Sequence, residues 1–113
     1  MNLGKKVSLN SITFSLPVIV LFTSTFCSKC MWNRNLFSQY SIFRGHIVEI
    51  DISQHHKLIE ELKPLSVPYA VIITKEGIII AEKYGLFTEE EVKVFIKTLE
   101  KLLGRFPDQT VSK

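Results

Sequence analysis

Pro17-Val18-Ile19-Val20-Leu21-Phe22-Thr23-Ser24-Thr25-Phe26-Cys27-Ser28-Lys29-Cys30 is the stretch on which the fold turns. Residues 18–22 form an unbroken β-branched and aromatic run of strand length, the pattern of a strand buried on both faces of a parallel sheet. From Cys27 to about Tyr40 there is neither Gly nor Pro. A helix is expected there, with Ser24 and Thr25 as candidate caps, Trp32, Leu36 and Tyr40 on one stripe, and Cys30 and Phe37 on another. Gly45 then punctuates, and Ile47-Val48-Glu49-Ile50 reads as a second strand ending at Asp51. Strand, helix and strand make a β-α-β unit, which should be parallel and right-handed.

Downstream, residues 54–62 place Leu58, Ile59 and Leu62 on one side of a short amphipathic helix that Pro64 closes. Residues 69–74 and 78–81 are apolar runs joined by Lys75-Glu76-Gly77, so an antiparallel hairpin is expected. Thr88 with Glu91 has the spacing of a capping box opening a helix whose Val92, Phe95, Ile96, Leu99, Leu102 and Leu103 share a face, and Gly104 ends it. Residues 7–14 are expected to add an edge strand. The expectation is one domain over residues 1–105, an α/β sandwich on a mixed sheet, with a poorly ordered polar tail at 106–113.

Composition agrees with a single folded domain. Of 113 residues, 46% are hydrophobic and 22% charged, which argues against a disordered or fibrous chain. Fourteen Lys and Arg against 11 Asp and Glu leave a net charge of +3, scattered along the chain, too weak to argue for nucleic acid. Lys5 and Lys6 ahead of an apolar stretch imitate a secretory leader. Ser15 and Pro17 interrupt that stretch, however, no small-x-small site follows it, and Phe26 is too bulky for a lipoprotein-type site before Cys27. The stretch is also shorter than the ~20 residues that span a bilayer.

The two cysteines cannot form the multi-disulfide framework of a small secreted protein, so their role is local. At the start of a helix, unpaired N–H groups and the positive end of the macrodipole favour a thiolate, which makes Cys27 a nucleophile. Cys30, about one turn deeper on the same side, is within reach to attack a mixed disulfide at Cys27. Lys29 adds positive charge nearby. Two other readings stand beside this one: a pair of inert buried thiols, or half of a zinc site completed by His46, His55 or His56, whose spacing is not that of a finger. Trp32 and the other aromatic residues are expected in the core.

With these features in order, residues 17–103 resemble the thioredoxin superfamily. Cys-x-x-Cys follows a central strand, Val48-Glu49-Ile50-Asp51 resembles the second parallel strand, Val67-Pro68 the cis-proline loop, and Lys75-Glu76-Gly77 the hairpin before the last strand. The resemblance implies a thioredoxin-like three-layer α/β/α sandwich with four or five strands in a mixed sheet and a short or missing first helix. It also implies a protein dithiol-disulfide oxidoreductase with Cys27 attacking and Cys30 resolving. Phe26, Ser28, Lys29, Val67 and Pro68 would then contact substrate.

The departures are specific. Phe26-Cys27-Ser28-Lys29-Cys30 stands for the family's Trp-Cys-Gly-Pro-Cys, and Leu21 occupies the place of its buried acid, leaving proton transfer for Cys30 to Glu49 or water. No glutathione-site motif follows the hairpin, so a glutaredoxin-like protein is the weaker alternative; a non-catalytic thioredoxin-like binding module is the other. The expectation is a cytoplasmic monomer serving cell redox homeostasis as a reductase. It would need no cofactor or metal and have no nucleic-acid or membrane partner; its partners would be a disulfide-bearing protein substrate and an unidentified redox partner.

Overall fold

The 18–22 run carries no polar residue because it feeds two cores at once. In the computed structural model, which describes residues 1–104, β1 (Val18–Thr23) is buried along its whole length. Ile19 and Leu21 enter one apolar cluster, while Val18, Val20 and Phe22 enter a second on the opposite face. The same alternation governs β3 (Tyr69–Ile73): Ala70 and Ile72 face the first cluster, Tyr69, Val71 and Ile73 the second.

β2 (Ile47–Asp51) pairs parallel with β1, β1 pairs antiparallel with β3, and β3 pairs antiparallel with β4 (Ile79–Tyr84). The order β2-β1-β3-β4 makes a mixed sheet with the two apolar strands in the middle. α1 (Ser28–Phe37) and α3 (Glu89–Leu103) close the first cluster with Leu36, Phe37, Val92, Phe95, Ile96 and Leu99. α2 (Lys57–Leu62) and the amino-terminal segment close the second with Leu58, Leu62 and Val7. This is the expected three-layer sandwich on four strands.

The capping box forms as its spacing predicts: Thr88 N–H donates to Glu91 Oε1 at 2.8 Å and Glu91 N–H to Thr88 Oγ1 at 3.1 Å. Gly104 then ends α3 in the left-handed region at φ 75°. The expected tail at 106–113 lies outside the described residues.

Four elements differ from expectation. Residues 7–14 add no edge strand: Lys6 makes a single bridge to Ile78, and Leu9–Ser11 is a 3-10 turn opened by Ser8, whose hydroxyl accepts Asn10 N–H. Ile12, Phe14 and Leu16 instead lie against the second cluster, covering it without a helix. Val7 N–H donates to Gly77 O at 2.8 Å; the φ of 87° at Gly77 favours glycine, and a Cβ there would crowd Val7 O at 3.3 Å.

Second, α1 stops at Phe37, passing into a 3-10 segment, Ser38–Phe43, kinked at Tyr40. Its cap is Cys27 rather than Ser24 or Thr25. Third, α2 begins only at Lys57, because His56 Nδ1 accepts Leu58 N–H at 3.0 Å and caps it there. Fourth, β4 runs through Glu82-Lys83-Tyr84. These polar residues are tolerated because the strand is an edge, where Tyr84 stacks on Tyr69 at 4.2 Å and Glu82 accepts the Tyr69 hydroxyl at 2.7 Å.

Candidate active site

Because β1 hands over to α1 through residues 24–27, the cysteine pair stands at the carboxyl end of a central strand. Cys27 has extended backbone angles, φ −134° and ψ 100°, as a cap must, and its Sγ accepts Cys30 N–H at 3.0 Å. A sulfur that already receives a backbone N–H at the positive end of a helix is placed to carry negative charge once reduced. Cys27 and Cys30 are joined as a disulfide, with Cα atoms 5.2 Å apart. Their surroundings differ: Cys27 is half-buried, whereas Cys30 is 1% exposed. A reagent from solvent meets Cys27 first.

The sheet register gathers the other candidate residues at this end. Phe22 pairs with Tyr69, so Pro68 lies beside the loop that leads to Cys27. The Val67-Pro68 peptide is cis, as is Leu16-Pro17, which nothing in the sequence announces. Val67 is half-buried and, among the described residues, its N–H and C=O have no hydrogen-bond partner; Pro68 is buried and its C=O accepts Gly85 N–H at 2.9 Å. Phe26 is 98% exposed, and Ser28 and Lys29 are exposed in the first turn of α1. Leu65 and Leu86, in loops at this same end, are exposed as well. These exposed apolar side chains lie at the same end of the sheet as the half-buried sulfur.

Leu65 and Leu86 are exposed apolar residues at this end that periodicity does not single out. Their signal is an apolar residue directly after Pro64 or Gly85, in a loop where burial cannot explain it. Trp32 departs from the core expected for it: it is 53% exposed, and its indole N–H donates to Phe87 O at 3.0 Å. Asn33 was also missed. It is 3% exposed, and its amide donates to Gly85 O at 3.1 Å and accepts from Phe87 N–H at 2.9 Å.

Glu49 stands in β2 directly opposite Leu21. Arg34 grips it with two bonds, Nε to Oε1 at 2.9 Å and Nη2 to Oε2, and the Thr23 hydroxyl donates to Oε2 at 2.9 Å. The Arg34 fork, more than any other influence, holds its carboxyl below the usual carboxylate range, against partial burial that acts the other way. Of the histidines, His46 Nδ1 lies 2.8 Å from Pro17 O and His56 caps α2. No group of three or more metal-binding side chains occurs among the described residues.

No protein-family model and no curated sequence matches the chain. Solved structures do. A chloroplastic thioredoxin z aligns with TM-score 0.59 at 22% identity, covering 74% of this chain and 78% of that one. Thioredoxin-2 of a malaria parasite aligns at 0.61 and 15% identity, covering 72% and 81%. The reduced thioredoxin of Schistosoma mansoni aligns at 0.61 and 22%, covering 73% and 77%. The chain has the thioredoxin fold.

Proposed function

We propose that this thioredoxin-fold chain is a thiol-disulfide oxidoreductase that reduces protein disulfides through Cys27 and Cys30. The observation that carries the reading is the asymmetry of the pair: one sulfur at the rim, capping a helix, and its partner sealed 1% exposed beneath it. In the reduced protein, Cys27 thiolate attacks one sulfur of a substrate disulfide. An S–S bond forms to Cys27, and the substrate's other sulfur leaves as a thiolate that takes a proton from water. Cys30 then gives up its proton and attacks Cys27 Sγ, restoring the Cys27–Cys30 bond and releasing the second substrate thiol. Two electrons pass from the pair to the substrate, and a dithiol donor must return them.

Phe26, Ser28, Lys29, Leu65, Val67, Pro68 and Leu86 form the face that meets substrate. The free N–H and C=O of Val67 suit an extended strand. Held as a charged carboxylate by Arg34, Glu49 is a poor proton acceptor at neutral pH, so the Cys30 proton passes to water. Such a reaction suits a monomer in a reducing cytoplasm.

Dithiothreitol-driven reduction of insulin tests the reading. Wild type should turn over, and Cys27→Ser and Cys30→Ser should each abolish turnover. Only Cys30→Ser should accumulate a mixed disulfide, through Cys27. Equal trapping by both variants would overturn the assigned roles, and no turnover by wild type would overturn the activity.

A further inference from the structure

A buried asparagine inside a helix is a costly choice. It is a weaker helix former than Leu, and its amide must find two kinds of partner. Asn33 sits in α1 three residues past Cys30, with Leu36 and Phe37 buried further along the same helix. Both ends of its amide go to one loop: Oδ1 takes Phe87 N–H and Nδ2 gives to Gly85 O. Trp32, beside it, donates to Phe87 O. The remaining polar group of this stretch that turns inward, Gly85 N–H, is taken by Pro68 O.

Residues 85 and 87 are therefore fastened on both sides, to the cysteine helix and to the cis-proline loop. Phe87 is anchored from below, edge-on to Phe37 at 5.1 Å and to Phe95 at 4.9 Å. Between the fastened residues stands Leu86, 47% exposed and with no hydrogen-bond partner for its backbone among the described residues. A loop held at two points either side of one outward residue presents that residue at a fixed place.

Resting on the oxidoreductase reading, we propose that Asn33, assisted by Trp32, is a positioning residue that holds Leu86 in register with Cys27 and so sets the preference for extended peptide disulfides flanked by apolar residues. Asn33 touches neither sulfur nor substrate. Its contribution is to keep the rim already formed, so that a peptide need not order the loop when it binds. A small disulfide that reaches Cys27 without covering the rim gains nothing from it.

The test compares two substrates on the full chain, insulin and the small aromatic disulfide of Ellman's reagent, with thermal melts to confirm folding. Asn33→Leu removes both amide bonds at similar volume, and Trp32→Phe removes one bond at a half-exposed position where folding is safe. KM for insulin should rise at least fivefold in Asn33→Leu and two- to threefold in Trp32→Phe. The rate with the small disulfide should stay within twofold.

Leu86→Ala should raise KM in wild type but much less in the Asn33→Leu background, because the two residues act as one unit. If Asn33→Leu does not fold, Trp32→Phe and its cycle with Leu86→Ala decide. Equal loss on both substrates, full additivity with Leu86→Ala, or an unchanged KM in folded variants would each overturn the proposal. Wild type inactive on both substrates would instead overturn the oxidoreductase reading on which it rests.

Discussion

The two flanks of α1 are fastened to the rest of the molecule by different physics. Toward residues 85–87 the links are neutral and centre on buried groups, the Asn33 amide and the three-ring cluster of Phe37, Phe87 and Phe95, with the half-exposed Trp32 indole at their rim. Toward β2 the link is ionic and partly wet, Arg34 on Glu49 with Thr23. It lies beside a groove of about 300 Å³ whose apolar lining includes Leu21, Phe37, Tyr40 and Ile47. Where water is excluded, an unmade bond carries its full desolvation cost; where water has access, it replaces a lost partner cheaply. The loop flank should therefore hold the geometry of the site, and the β2 flank should tolerate change.

The largest expected effect tests that contrast by truncation. Phe87→Ala opens a cavity among three rings and should destabilise the chain by about 3–5 kcal/mol, whereas Ile47→Val, at a half-buried β2 position on the α1 face, should cost about 1 kcal/mol. Urea unfolding with unchanged m-value measures both. Similar losses at the two sites would show that the flanks are mechanically alike and remove the distinction.

Leu21→Asp comes next, because Leu21 lies in the first cluster yet faces the groove. The exchange gives up apolar burial and introduces a carboxyl beside Glu49, at a cost of about 3 kcal/mol, and like charge together with burial should raise its pKa above the normal carboxylate range, so that its ionised form is a stronger base than Glu49. In the folded variant a proton acceptor on the α1 side of the sheet should hasten breakdown of the mixed disulfide, read as the single-turnover release rate. An unchanged rate in a stable variant would show that the second step does not wait on proton removal.

How far the sequence discloses each flank follows from the same physics. The sandwich, its two central strands and the capping box were legible because burial on both faces leaves 18–22 and 69–73 as unbroken apolar runs and burial on one face imposes helical period on 92–103. The cysteine pair was legible from its place between strand and helix. The loop flank was not, because Asn33 and Trp32 gain their partners at Gly85 and Phe87, more than 50 residues away, and no periodicity encodes such a pairing. The amino-terminal segment misled because residues 4–7 touch the edge of the sheet only briefly, while Ile12 and Phe14 are half-buried by packing against a sheet face. Polar Glu82 and Lys83 hid the end of β4 for the converse reason: an edge strand does not need apolar alternation on both faces.

The smallest effect, and the sharpest on the β2 flank, comes from Glu49→Gln. The folded-state pKa of Glu49 lies below its unfolded value, about 4.3 for a free glutamate. The ion pair therefore stabilises the fold fully above that unfolded value and loses its contribution as the pH falls through the folded one. Both partners are partly exposed, so solvent screening limits the pair to about 0.5–1 kcal/mol at neutral pH and low salt. Wild type should exceed Glu49→Gln by that amount at pH 7, by less in 1 M salt, and by nothing once the wild-type carboxyl is protonated. The rate of Cys30 attack should change less than threefold, because the loop flank still holds α1 in place. A tenfold fall in that rate with stability almost unchanged would make Glu49 the proton carrier for Cys30, and the wet flank would then serve the chemistry directly.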